Sequence, residues 1–210
     1  MANGGVIVTG PGVITVPALG KSFKLTESRE DDVFDSVTQA SGSVSAGTSL
    51  ELFRDLGNKF LQHTNLKTPR RINAESEMAL TRIGVHVAQA IGNTMVSDDD
   101  IIKILHTGTL TFKINDRLVT EGPLMKYQAG VGAAGQTNRT DTGVVTNGVA
   151  SQAAAPNLLV PQPISDKDDL NGTVDFKNAT WISGYTAPSL DGTNVISCLL
   201  HGIIKAPLGR

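Results

Sequence analysis

The chain has 210 residues, a net charge of −2 at pH 7 and a hydrophobic fraction of 40%, with few aromatic side chains. This is enough apolar sequence for one large domain with a core of Val, Ile and Leu, and 22 Gly and 9 Pro predict many turns and more strand than helix. No block of basic residues is present, so the charge does not support a nucleic-acid groove; the densest basic spot, residues 67–71, is expected to be a solvated loop.

The first 20 residues alternate short Val- and Ile-rich pieces with Gly and Pro, which predicts an extended N-terminal arm or an edge strand. This segment lacks the basic start of a signal peptide, and no run in the chain has the roughly 18–20 apolar residues of a membrane helix. We therefore expect a soluble protein, with a single β-sandwich domain over residues 21–210. Within it, residues 21–38 are expected to hold one short strand and a polar turn, and residues 40–48 a flexible link.

An amphipathic helix is predicted over residues 49–63, capped by Thr48 or Ser49. Apolar side chains recur on one face of this helix: Leu50, Leu52, Phe53, Leu56 and Phe60. The favoured interpretation is a helix that covers the open end of its own sheet. Docking on a neighbouring molecule or on a membrane surface is the alternative.

Residues 77–91 alternate in polarity, which predicts a half-buried strand with Ile83, Val85 and Val87 facing the core and His86 on the more polar side. A short helix is predicted next, because Ser97 is a suitable N-cap, three acids occupy the first turn and Gly108 follows the last apolar residue. A metal site at residues 98–100 is the disfavoured alternative, since no second ligand cluster has a matching spacing.

Residues 109–121 are typical of a β-hairpin, with Asn115 and Asp116 at the turn. Residues 129–156 follow it and contain almost only small and turn-forming side chains, so they bury too little apolar surface to fold alone. A long loop of this kind within a domain is unusual and is either functional or disordered. We expect it to be an inter-subunit or surface-displayed loop.

The last third of the chain predicts further strands. Residues 157–164 indicate an edge strand limited by proline, residues 166–172 a polar turn, and residues 172–186 one or two strands that carry Trp181. Residues 195–204 are apolar at nearly every position, which predicts a central, fully buried strand. Cys198 lies within it and is expected to be an inert buried thiol.

Several motifs match a functional pattern only superficially. The glycines of GVGAAG at 130–135 lack the preceding strand and following helix of a dinucleotide site, and Gly20-Lys21-Ser22 lacks the glycine-rich cradle of a phosphate loop. The acids at 166–169 do not have calcium-loop spacing. The histidines show no metal or catalytic spacing, and His201 is expected to be a satisfied core residue; they are His63, His86, His106 and His201. Three N-x-T sites, at Asn138, Asn171 and Asn178, matter only in a secreted eukaryotic protein.

Two stretches, TGTLTFKINDRLVTEGPL and NVISCLLHGIIKAPL, resemble strands of jelly-roll capsid proteins of icosahedral bacteriophages. The similarity covers residues 78–206 and consists of a helical turn, a G-T-L-x-F-x-I strand, a G-P break, a long loop and a final apolar strand. It implies an antiparallel β-sandwich of jelly-roll type with one or two short helices, a self-assembling shell, and no enzyme activity. The length leaves room for one jelly roll, which favours a single-barrel shell, vertex or minor capsid protein.

The sequence thus favours a virion structural protein, assembled in the host cytoplasm, whose partners are copies of itself and other virion proteins. It identifies no catalytic, cofactor-binding or metal-binding residue, no specific nucleic-acid partner, and nothing that supports membrane contact. The alternative is a β-sandwich carbohydrate-binding or tail-associated adhesin module, with Trp181 and Tyr185 as its stacking platform. A small enzyme with a spatially assembled site is the third hypothesis.

Overall fold

The computed structural model describes residues 7–10, 13–24, 27–45, 47–89, 98–128, 157–176 and 189–205. These residues are mainly in strands, in the order β1 (Ile7–Gly10), β2 (Val13–Val16), β3 (Lys21–Lys24), β4 (Ser28–Gln39), β5 (Gly42–Ser43), β6 (Ser49–Leu52), β7 (Glu77–Gln89), β8 (Thr109–Ile114), β9 (Arg117–Pro123), β10 (Asn157–Ser165), β11 (Leu170–Asp175), β12 (Ser189–Leu190) and β13 (Asn194–Lys205). One α-helix, α1 (Asp98–Thr107), and two 3-10 helices, η1 (Pro17–Leu19) and η2 (Leu124–Tyr127), complete them.

Two four-stranded antiparallel sheets form the body of the molecule, in the orders β10-β7-β13-β4 and β6-β11-β8-β9. Both sheets contribute to one hydrophobic cluster, which extends along the chain from Val33 to Ile204. Phe53 and Phe112 meet within it edge to face, with ring centroids 6.0 Å apart. The prediction of a mainly β chain with antiparallel sheets is therefore confirmed.

The strands of the two sheets pair in a nested order along the chain. The outermost strands of the series, β4 and β13, pair with each other; inside them β6 pairs with β11, β7 with β10, and β8 with β9. Only the last pair is joined by a tight turn. Each of the other three pairs brings together residues far apart in the sequence.

The hairpin and the central strand were predicted correctly. Leu110, Phe112 and Ile114 alternate as buried residues in β8, and Asn115 and Asp116 form the turn with positive φ angles of 49° and 63°. Strand β13 is central, with neighbours on both sides. Its second half is buried on both faces, but its first half alternates between buried and half-buried residues, so the expectation of complete burial holds only in part.

Strand β7 confirms the strand predicted at 77–91, with Ile83, Val85 and Val87 buried. The helix predicted before Gly108 is also present as α1. Ser97, its predicted cap, lies outside the described residues.

The helix predicted over residues 49–63 was wrong. Residues 49–52 form β6, which pairs with β11, and Phe53 has a φ of 66°, which a right-handed helix does not allow. Asn58, at a φ of 60°, interrupts the segment again. Sheet pairing and burial of Leu52 and Phe53 therefore override the local helical period.

For the N-terminal region the prediction was an extended arm or an edge strand. Its described residues form strands, in a three-stranded antiparallel sheet, β1-β2-β3, and not an extended arm. Gly20 reverses the chain between β2 and β3 at a φ of 61°. Val16 and Phe23 pack this sheet against Ala79 and Ile203 of the β10-β7-β13-β4 sheet. The polar turn predicted after β3 is instead part of β4, which spans twelve residues.

Candidate functional site: two edges of one sheet

The first edge, formed by β4, is covered by part of the long connection between β6 and β7. Phe34 donates its backbone N–H to the side-chain oxygen of Asn65 at 2.9 Å, and the Asn65 side-chain amide donates to the carbonyl of Asp32 at 2.6 Å. Thr64 donates its hydroxyl to the Phe34 carbonyl at 3.1 Å. These bonds occupy backbone groups of an edge strand that would otherwise be open to pairing.

A buried carboxylate fixes the same connection to β4. Asp35 is fully buried, and its oxygens accept two contacts from Lys59 Nζ, at 2.7 and 2.8 Å. The backbone N–H of Phe53 donates to Asp35 at 2.6 Å. The ion pair is thus supplemented by a backbone donor, the arrangement that compensates a buried charge for its lost hydration. Nothing in the sequence singles out Asp35, because its partners lie 18 and 24 residues away.

Directly after Lys59 the chain turns and exposes two large apolar side chains. We call residues 59–63 the Phe60 turn. Phe60 is 69% exposed and Leu61 79% exposed, whereas both were predicted to belong to a helix and Phe60 to its buried face. The turn is closed by the His63 N–H donating to the Phe60 carbonyl at 2.8 Å, and the His63 ring lies 6.1 Å from the Phe60 ring.

The opposite edge of this sheet, β10, also exposes apolar side chains. Its register with β7 shifts between Asn157 and Gln162, so the intervening residues bulge away from the ladder. Leu159 is 89% exposed and Val160 50% exposed within this bulge, which we call the Leu159 bulge (residues 158–161). The prediction of an edge strand limited by proline is confirmed at this strand.

Polar contacts hold the Leu159 bulge in place. Arg117, on β9 of the other sheet, donates to the side-chain oxygen of Gln162 at 2.7 Å. The Gln162 amide in turn donates to the carbonyl of Val160 at 2.9 Å. On both edges, specific polar contacts therefore fix the backbone segments that carry the exposed apolar residues.

His201 is buried and satisfied, as expected from its sequence context. Its Nδ1 lies 2.7 Å from an Asp32 oxygen and its Nε2 2.9 Å from a Glu30 oxygen. Both ring nitrogens donate only when the imidazole is protonated. Because the two nitrogens face different carboxylates, the ring of His201 on β13 bridges the side chains of Asp32 and Glu30 on the neighbouring strand β4. Within the described ranges no group of three His, Cys, Asp or Glu side chains could hold a metal ion.

The two acid-rich segments have structural roles. Asp100 is buried and accepts hydrogen bonds from the N–H groups of Asp191 and Gly192 and from the Asn194 side chain, at 2.9–3.3 Å. It thereby ties helix α1 to the turn before β13. Its role as this anchor was not predicted, since its partners lie about 90 residues later in the chain.

In the turn at 166–169, burial disfavours ionisation of Asp168. Hydrogen bonds from Ser165 and Asn115 outweigh that effect and lower its pKa. The turn therefore uses the carboxylate of Asp168 for its own closure.

Two further groups have perturbed ionisation. Burial raises the pKa of the Cys198 thiol strongly, and the nearby Asp35 carboxylate adds to this effect, so the thiol is buried and protonated as predicted for an inert cysteine. Burial lowers the pKa of His86, which lies on the outer side of β7.

The remaining predicted features lie outside the described residues: the loop at 129–156 with its GVGAAG sequence, Trp181, Tyr185, Asn138 and Asn178. No helix within the described ranges is both long and apolar enough to cross a membrane. In comparisons with known proteins, no family model and no curated protein matches this chain.

Proposed function

We propose that this protein is a virion structural subunit with a jelly-roll β-sandwich, which assembles with copies of itself into a shell or vertex. The observation that supports this most strongly is the nested strand pairing, in which β4 pairs with β13, β6 with β11, β7 with β10 and β8 with β9. A jelly roll is a long antiparallel ribbon rolled up in this way, so that the first of eight strands pairs with the eighth and the fourth with the fifth.

Because jelly rolls also occur in lectins and cupins, the fold alone does not decide the function. The character of the surface favours assembly. Large apolar side chains are exposed at both edges of one sheet, at Phe60, Leu61 and Leu159. The Lys59–Asp35 contact and the hydrogen bond from Gln162 to Val160 fix the segments that carry them. Exposed apolar surface of this kind is typical of protein contacts. The proposed role is structural and requires no catalytic group.

The N-terminal segment has a smaller part in this proposal than the sequence suggested. Val16 and Phe23 are buried against the same chain, so residues 13–24 are engaged within the subunit. Intersubunit contact is instead assigned to the sheet edges and to the loop at 129–156, which joins η2 to β10.

Electron microscopy of the purified full-length protein tests the proposal directly. We expect closed shells, rings or capsomer-like particles of uniform size. Only dispersed single particles of subunit size, at every concentration and salt condition examined, would contradict it. Deletion of residues 132–152 is expected to leave the folded domain intact and to weaken assembly; an unfolded deletion variant would show that the loop belongs to the core.

The alternative function is glycan binding by an adhesin-like module. It is motivated by Trp181 and Tyr185, which lie four residues apart and would face the same side of a regular strand. Titration of the single tryptophan's fluorescence with a panel of sugars distinguishes the two functions. Saturable quenching by one sugar would favour the adhesin, and its absence with all sugars would disfavour it.

A further inference from the structure

We infer that Asn65 guards the open edge of β4 against the addition of a strand from a second copy of this chain. Strand β4 is the last strand of its sheet and pairs with β13 on one side only. The backbone groups on its other side would otherwise be free to bind an extended segment of another molecule. The Asn65 side chain occupies that position within the subunit, and we call this contact the Asn65 guard.

The Asn65 side-chain amide imitates a peptide group of a neighbouring strand. Its oxygen accepts the N–H of Phe34 at 2.9 Å, and its nitrogen donates to the carbonyl of Asp32 at 2.6 Å. A paired antiparallel strand would offer an acceptor and a donor to this edge in the same way. One side chain therefore occupies two successive backbone groups that a strand from another copy would need.

The adjoining backbone groups on this side of β4 are also occupied. The Phe34 carbonyl accepts from the Thr64 hydroxyl at 3.1 Å and from the Asn65 N–H at 3.3 Å. The Asp32 N–H donates to the side chain of Asp31 at 2.9 Å. The backbone donors and acceptors of Asp32 and Phe34 are thus all satisfied within the subunit, and an incoming strand would have to displace them.

The segment that carries the Asn65 guard is fixed on both sides. Before it in the chain, Lys59 lies 2.7 Å from the buried carboxylate of Asp35, and directly after it Leu66 is buried in the core. A side chain held in this way loses little conformational freedom when it bonds to the edge. A strand from another copy loses translational and rotational freedom as well, so the guard competes favourably with it.

The other three edges of the two four-stranded sheets are protected by different means. Strand β10 is bulged and contains Pro161 and Pro163, which have no N–H to donate. In β9 the register with β8 shifts between Phe112 and Lys113, so Val119 is an additional residue that forms a bulge. Strand β6 has only four residues. Short strands, prolines and bulges are known to prevent edge pairing, so contacts between copies at these edges are assigned to side chains and not to a continuous sheet.

The test uses the full-length protein and two variants, each with a matched control. Asn65→Ala removes the guard, and Asn73→Ala changes an exposed asparagine of the same connection. Thr64→Val removes the hydroxyl bond to the edge of β4, and Thr81→Val removes a similar hydroxyl bond, 3.2 Å long, to a carbonyl of β13.

Thioflavin T fluorescence measures the growth of cross-β structure, to which a shell of folded subunits does not contribute. We expect growth at least about tenfold faster for Asn65→Ala than for the wild type and Asn73→Ala, because a free edge is a template for pairing. Thr64→Val should act in the same direction. Equal acceleration by Thr81→Val would show that lost stability, and not a free edge, causes the growth, and would overturn the guard.

Hydrogen exchange of the Phe34 amide shows whether the edge is free. We expect this amide to be protected in the wild type and to exchange at least about tenfold faster in folded Asn65→Ala. A folded variant with a freed Phe34 amide and a wild-type growth rate would overturn the guard, and so would an unprotected Phe34 amide in the wild type, a measurement that needs no variant. Circular dichroism verifies folding, and Thr64→Val decides the growth rate if Asn65→Ala unfolds. The guard is independent of the proposed shell, because a wild type that stays monomeric would contradict the shell and leave the guard in place.

Discussion

Replacement of Lys59 by methionine tests whether the Asp35–Lys59 pair fixes the Phe60 turn. Asp35 is fully buried and would keep only the Phe53 N–H as a donor among the contacts described, so its negative charge would lose its cationic partner. Removing one partner of a buried ion pair generally costs about 3–5 kcal/mol. Lys59 retains 16% side-chain exposure, so water partly replaces it, and we expect a cost near the lower limit, about 3 kcal/mol.

The double variant Asp35→Asn/Lys59→Met supplies the comparison. Asparagine keeps an oxygen for the Phe53 N–H but carries no charge, so this variant should be more stable than Lys59→Met alone. Urea unfolding followed by circular dichroism measures both free energies of unfolding, and an unchanged m-value shows that the two-state comparison is valid. If Lys59→Met costs less than about 1 kcal/mol, as is usual for surface pairs, the pair does not anchor the turn.

Three further predictions concern single residues. Burial raises the pKa of Cys198, so its thiol should resist disulfide reagents in the native protein and react on unfolding. Because an unfolded thiol ionises near about pH 8.5, the free energy of unfolding should fall as pH rises above about that value. Burial lowers the pKa of His86, so the unfolded chain binds a proton at this residue more readily than the folded protein does. The free energy of unfolding should therefore decrease as pH falls below about 6.5. His86→Gln should reduce this pH dependence in urea titrations. Gly202→Ala should cost about 3 kcal/mol, because the added Cβ would lie 2.1 Å from the Ala79 carbonyl oxygen, and thermal unfolding measures the loss. Gly57→Ala is the control, since the Cβ added there would meet only a side chain. Equal stability of the two variants would refute the clash.

Local sequence patterns were enough to predict an element where buried and exposed residues alternate along a single strand. The hairpin was predictable because Leu110, Phe112 and Ile114 repeat with period two and Asn115-Asp116 adopts the left-handed turn that these residues tolerate. The inert character of Cys198 was predictable for a similar reason, since most of the residues around it in the sequence are apolar.

Features that depend on distant residues were not predictable from the sequence. The period of residues 49–63 fits a helix, but pairing of β6 with β11 and the Asp35–Lys59 contact determine the actual path. Asp100 lies in the first turn of α1 as predicted, but its contact with a turn 91 residues later could not be predicted. The Leu159 bulge was not predicted either, because a register shift depends on the partner strand.

Self-association is the central claim, and sedimentation velocity of the full-length wild-type chain tests it most directly. We predict a concentration-dependent shift from the 22.0 kDa subunit to a single large species that partly dissociates at high salt. A single 22.0 kDa species over the whole accessible concentration range, at low salt as well as high, would contradict the account.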